Sequence, residues 1–190
     1  MFRRRFRMRK NVFTRIVNQL RESNVYFQQS PDATRRLGPS PLQKCTAAIR
    51  MLAYGTSADA VDEYLKLVSS TAKECLSHFV EGVVSQFGPK YLRRENTMDT
   101  ERLLQKSHIR GFPGMMGSID CMHWEWKNCP RAWKEMYQGR NKTANIILEA
   151  VASQDLWIWH AFFGTLGSCN DINVLQRSPV FSDICEGRAP

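Results

Sequence analysis

Apolar side chains recur along the first half of the chain with the spacing of helices. Phe2, Phe6, Phe13, Ile16, Val17 and Leu20 fall mostly three or four residues apart, which predicts an amphipathic helix over residues 11–23. Residues 28–41 carry three prolines and read as a linker. Ser40-Pro41 is an N-cap followed by a proline at the first helical position, so a helix runs over 42–54 with Ala47, Ala48, Met51 and Leu52 inward. Gly55 ends it, Thr56 or Ser57 caps a short helix over 58–65, and Ser69 or Ser70 caps a third over 71–87, stopped by Gly88-Pro89. Helix, glycine turn, short helix and capped helix make the cadence of a helix-turn-helix, with Ser70, Thr71, Lys73, Glu74 and Ser77 on the helix that would face DNA. A plain helical bundle fits the same pattern.

The period changes after Gly111. Residues 91–110 are polar and mixed in charge, a short helix and connector. Residues 116–126 then alternate as a strand, with Ser118, Asp120, Met122, Trp124 and Trp126 on one face. Residues 145–152 and 156–163 are apolar strands joined by the turn Ser153-Gln154-Asp155, a hairpin, and a helix follows Asn170. The expected class is α+β or α/β: an N-terminal helix-turn-helix-like region at 42–90, a connector at 91–110 and a strand-rich domain at 111–190, preceded by a basic arm and linker at 1–41.

Charge sharpens this division. The chain carries a net charge of +9, but its first 50 residues hold twelve basic and two acidic side chains, a net of +10, and the remainder is near neutral. Arg3, Arg4, Arg5, Arg7, Arg9 and Lys10 are the densest run, and such an asymmetry points to a polyanion partner, DNA or an anionic surface. A solvated arm or nuclear address remains open beside direct DNA contact. No stretch reaches the ~18 consecutive apolar residues of a membrane span. The N-terminus lacks the apolar segment of a secretory signal, so the six cysteines are expected to be reduced thiols and the sequon Asn141-Lys142-Thr143 unused.

Two acids carry the candidate chemistry. Asp120 lies inside an apolar strand, where a carboxylate is costly to bury unless paired or metal-bound, although a half-solvated strand end would also hold it. Asp171, 51 positions on, reads alone as a helix N-cap. The hairpin between them is expected to bring the two together, and hard carboxylate oxygens suit Mg²⁺ or Mn²⁺. Cys121, His123 and Cys129 are softer ligands without the paired spacing of a zinc site. Trp124, Trp126, Trp133, Trp157 and Trp159 are expected to pack rather than stack on bases. Lys127, Arg131, Lys134, Arg140 and Lys142 form a second basic stretch, either a phosphate contact or a solvated loop.

The run Gly111-Phe112-Pro113-Gly114-Met115-Met116-Gly117-Ser118-Ile119-Asp120-Cys121-Met122-His123-Trp124 resembles the first acidic motif of PIF/Harbinger-type transposases, their plant branch in particular. Tyr137-Gln138-Gly139-Arg140, residues 145–152, residues 157–164 and Gly167-Ser168-Cys169-Asn170-Asp171-Ile172-Asn173-Val174-Leu175 continue the likeness, and residues 3–20 and 44–87 look like the family's upstream region. The resemblance implies a ribonuclease-H-like catalytic fold and a DDE-type, metal-dependent nuclease or transposase. Asp120 and Asp171 would be its first catalytic and metal-binding acids, with Mg²⁺ or Mn²⁺ as cofactor. It implies a nuclear protein acting on transposon-end DNA with a Myb-like companion. The family's later acids lie beyond residue 190, and only Asp183 and Glu186 follow Asp171 here, neither in a matching context. The sequence therefore reads as a C-terminally truncated or degenerate copy, inactive as it stands, with an incomplete ribonuclease-H-like domain whose uncovered strands favour self-association. The alternative is a non-catalytic DNA-binding or interaction protein using the basic N-terminal region.

Overall fold

In a computed structural model the chain is described for residues 1–31, 35–139, 142–180, 182 and 186. Asn141, Asp183 and Cys185, and with them Arg140, lie outside the described residues. The chain divides into two compact units, Met1–Lys90 and Tyr91–Pro190.

The first unit is helical: α1 (Phe2–Phe6), α2 (Lys10–Ser23), a 3₁₀ turn (Val25–Phe27), α3 (Pro41–Tyr54), α4 (Ala58–Leu65) and α5 (Ser69–Tyr91), whose last residue crosses the boundary. Helix α3 begins with a capping box: Ser40 Oγ accepts from the Gln43 amide at 3.2 Å, and the Gln43 side chain accepts from the Ser40 amide at 2.9 Å. Pro41 stands at its first turn and Gly55 at its end. Helix α5 does not stop at Gly88-Pro89 but runs through Pro89 to Tyr91. Proline there removes a single backbone donor in the final turn, where the ladder is already running out.

One core gathers Phe13, Val17 and Leu20 of α2 with Phe27, Cys45, Ala48, Ile49 and Phe79. Residues 2–27 are thus joined to the helices that follow rather than standing apart as an arm. Phe2 and Phe6 stack at 4.1 Å, both lean on Phe13 at 5.7 and 4.8 Å, and Met8 packs beside them. Gly82 lets α5 approach α2, since a Cβ there would stand 2.5 Å from Leu20 Cδ2. Within the predicted linker, Gly38 N donates to Ser30 O at 3.0 Å and Gln29 Nε2 to Gly38 O at 2.8 Å. Lys44 Nζ donates to Tyr26 O at 2.6 Å, and the Tyr26 hydroxyl lies 3.3 Å from Cys75 Sγ.

The second unit holds α6 (Thr97–Ile109), β1 (Ser118–Glu125), β2 (Asn145–Ala152), β3 (Ile158–Leu166) and α7 (Asp171–Arg177). Its sheet is wholly antiparallel in the order β1-β2-β3, so the class is α+β. Asp120 pairs with Ala150, Cys121 with Glu149 and His123 with Ile147 across β1 and β2, and Val151 pairs with His160 across β2 and β3. Arg102 of α6 bonds Asp155 in the β2–β3 turn at 2.6 Å, while Trp157 donates Nε1 to Tyr91 O at 3.1 Å and lies beneath the Arg93 and Arg102 guanidinium groups. No described helix is long and apolar enough to cross a membrane.

The five described cysteines are free thiols with graded access. Burial pushes the Cys45 thiol up from 9.0 to about 12 and raises Cys75 as well. Alkylation of native protein at mildly alkaline pH should therefore label Cys129 and Cys169 first and Cys45 and Cys75 last, read by peptide mass spectrometry. Because the folded value lies above the unfolded one, stability from these thiols is complete below about pH 9 and declines as pH rises toward 12. Rapid labelling of Cys45 in folded protein would contradict this core.

Candidate functional site

Strand alternation decides which side chains meet. The buried residues of β2 are Asn145, Ile147, Glu149 and Val151, all on one face. Helix α7 covers that face with the fully buried Val174. Cys121 and His123 of β1 share it, being opposite Glu149 and Ile147. Asp120, Met122 and Trp124 project from the other face, where Met122, Trp124 and Phe163 are exposed. Asp120 is itself exposed, and its Oδ1 accepts from the Cys121 amide at 2.9 Å.

Asp171 is not the cap of α7. Asn170 takes that place, its side chain accepting from the Asn173 amide at 2.8 Å, and Asp171 occupies the first helical position with its side chain 75% exposed. Its Oδ1 stands 3.9 Å from His123 Nε2. The hairpin therefore brings Asp171 to His123 and leaves Asp120 on the opposite face of β1. The Cys121 thiol is pushed up by burial first and then by the Asp171, Glu149 and Asp120 carboxylates. Among the described residues no three His, Cys, Asp or Glu side chains surround a common point, including Cys121, His123 and Cys129.

Glu149 has a role that periodicity alone did not single out. It is fully buried in the middle strand, accepts from Ser178 Oγ at 2.6 Å, and lies 3.3 Å from His160 Nε2. Ser178 is the C-cap residue of α7, and its Oγ also lies 3.1 Å from His160 Nε2. One carboxylate thus fastens the end of α7 to β2 and β3. Its second oxygen, Oε2, has no hydrogen-bond partner among the described residues. The sequence signal was present, since Glu149 keeps phase with the buried Ile147 and Val151. Between β3 and α7 the chain passes close against the start of β2 at Gly167, where a Cβ would lie 2.6 Å from the carbonyl oxygens of both Asn145 and Tyr137.

The basic residues are displayed on structure. Arg3, Arg4, Arg5, Arg7, Arg9 and Lys10 are all exposed, on and just after a helix held down by Phe2 and Phe6. The face of α5 considered for DNA contact exposes Ser70, Lys73, Glu74 and Ser77, with Glu81 beyond. Of the tryptophans, Trp126 packs with Trp133 at 6.0 Å and Tyr137 at 5.2 Å, and Trp124 stays exposed.

Replacing Glu149 tests the fastening. Glu149→Ala strips Ser178 and His160 of a buried acceptor and should destabilise the sheet unit by about 3 kcal/mol, whereas Glu149→Gln retains an acceptor oxygen and should cost less. Thermal unfolding of both variants measures the difference. Equal melting of Glu149→Ala and wild type would remove Glu149 from the fold's supports.

No curated protein and no solved structure matches this chain. Residues 89–190 match the family model described as plant transposon protein. That span takes in α6, all three strands, α7, Asp120, Glu149 and Asp171. With more than half of its length matched, the chain belongs to the plant transposon protein family and is transposon-derived.

Proposed function

We propose that the chain is a transposon-derived, DDE-type metal-dependent DNA endonuclease or transposase of the PIF/Harbinger kind that engages DNA through its basic N-terminal region. The family match over the strand unit is the observation that carries this reading, and the motif around Asp120 falls within it. Three consecutive antiparallel strands followed by a helix support a ribonuclease-H-like sheet. Asp120 and Asp171 are the proposed catalytic carboxylates, and a Mg²⁺ or Mn²⁺ ion held there would polarise a phosphodiester and activate water. Asp120 on one face of the edge strand β1 and Asp171 of α7 beside the other fall short of an octahedral oxygen set, so these two carboxylates should bind metal weakly. The same reading assigns it to the nucleus, with a Myb-like companion on transposon-end DNA. The exposed Met122, Trp124 and Phe163 support self-association or a covering partner on that face.

The second reading is a DNA-binding protein without catalysis. It is favoured by the exposed run from Arg3 to Lys10, which needs nothing from the strand unit.

Two measurements separate them. Mn²⁺ titration followed by electron paramagnetic resonance should show weak binding that Asp120→Asn and Asp171→Asn each reduce; variants that bind Mn²⁺ like wild type would refute the carboxylate assignment. Duplex DNA affinity should fall about 10³-fold or more between roughly 50 and 200 mM salt if the six cations from Arg3 to Lys10 all meet phosphates. Salt-independent binding would refute the role of that run.

A further inference from the structure

Helix α2 carries two different faces. Phe13, Val17 and Leu20 point into the core. On the opposite side Asn11, Arg15, Asn18 and Glu22 follow one another at four, three and four residues, which places them on a single stripe of a helix with 3.6 residues per turn. Lys10 and Thr14 flank that stripe, and Gln19 borders it. Asn11, Thr14, Arg15 and Asn18 are exposed. These are base-reading side chains: an asparagine amide can bond adenine N6 and N7 together, an arginine can bond guanine O6 and N7, and threonine serves either.

The surroundings suit a duplex. In the sequence Arg3, Arg4, Arg5, Arg7, Arg9 and Lys10 lead up to the stripe, with no acidic residue before Glu22. Helix α5 steadies the face from beside it. Gln19 Nε2 donates to Gln86 Oε1 at 3.2 Å, and the Arg15 guanidinium lies 5.9 Å from the centre of the Phe87 ring. An α-helix of about 10–12 Å diameter fits the B-DNA major groove, which is about 12 Å wide.

We infer that α2 is the helix that reads base edges in the major groove of duplex DNA. Asn11, Arg15 and Asn18 are its reading side chains, and Arg3, Arg4 and Arg5 hold the flanking phosphates. The inference rests on the DNA-engaging role proposed above and moves sequence recognition from α5 to α2.

Selection of bound sequences from a pool of random duplexes tests it, using the whole 190-residue chain and checking each variant's fold by circular dichroism. Wild type should enrich a short motif. Arg15→Ala and Asn18→Ala should each relax a different position of that motif by about 5- to 150-fold in discrimination, with little change in affinity for unrelated duplex. Arg4→Ala should weaken all sequences alike and lower the salt slope by about one. Enrichment of an unchanged motif by both α2 variants, or equal binding of every duplex by wild type, would overturn the inference while DNA engagement stands. Absence of duplex binding, with RNA or an acidic protein bound instead, would overturn both.

Discussion

The contact of Phe2 and Phe6 with Phe13 sets what the helical unit presents to its surroundings. Five of the first nine residues are arginines, and their mutual repulsion in water favours an extended chain. Burying aromatic area opposes that repulsion. A well-placed aromatic pair contributes about 0.5–1.5 kcal/mol beyond the area it buries, and two rings meet Phe13 here. Phe13 is in turn fixed by Val17, Leu20 and the α3 residues Cys45, Ala48 and Ile49. The charges are consequently displayed at set positions along α1 and onto α2, where a flexible tail would have scattered them.

The strand unit rests on a different constraint. Its buried face carries a carboxylate, Glu149, at a position that alternation reserves for an apolar side chain. Such a group is tolerated only when hydrogen-bonded, and Ser178 and His160 supply those contacts. The result ties the C-terminal end of α7 to the sheet and fixes where its first residue, Asp171, can stand. The opposite face has no comparable cover among the described residues: Met122, Trp124 and Phe163 remain exposed around Asp120. One sheet thus offers a finished face beside His123 and Asp171 and an open one beside Asp120.

Much of this was legible in the residues. The helix over 58–65 and the strand over 145–152 emerge with the boundaries that periodicity and turn residues indicate, because Gly55, Ser57 and Asp155 act through local backbone chemistry. The Ser40-Pro41 start was readable for the same reason. Passage of α5 through Pro89 was not, because near a helix end the proline's cost falls on a hydrogen-bond ladder already incomplete. Strand phase foretold that Asp120 shares a face with Met122 and Trp124, yet the pairing of Asp171 with His123 depends on the path of the chain through Gly167, which no local pattern encodes. The docking of residues 2–6 also escaped the sequence. Phe2 and Phe6 have helical spacing, but their target is created by α2 and α3 together.

The claim that joins these observations is that the basic run is a fixed surface of a folded helical unit. Backbone ¹⁵N relaxation of residues 3–10 in the free protein measures it directly. Order parameters for Arg3 to Lys10 close to those of α2 and α3, about 0.8 or above, are the predicted result. Values below about 0.6 across Arg3 to Arg9, the range of a flexible tail, would contradict it.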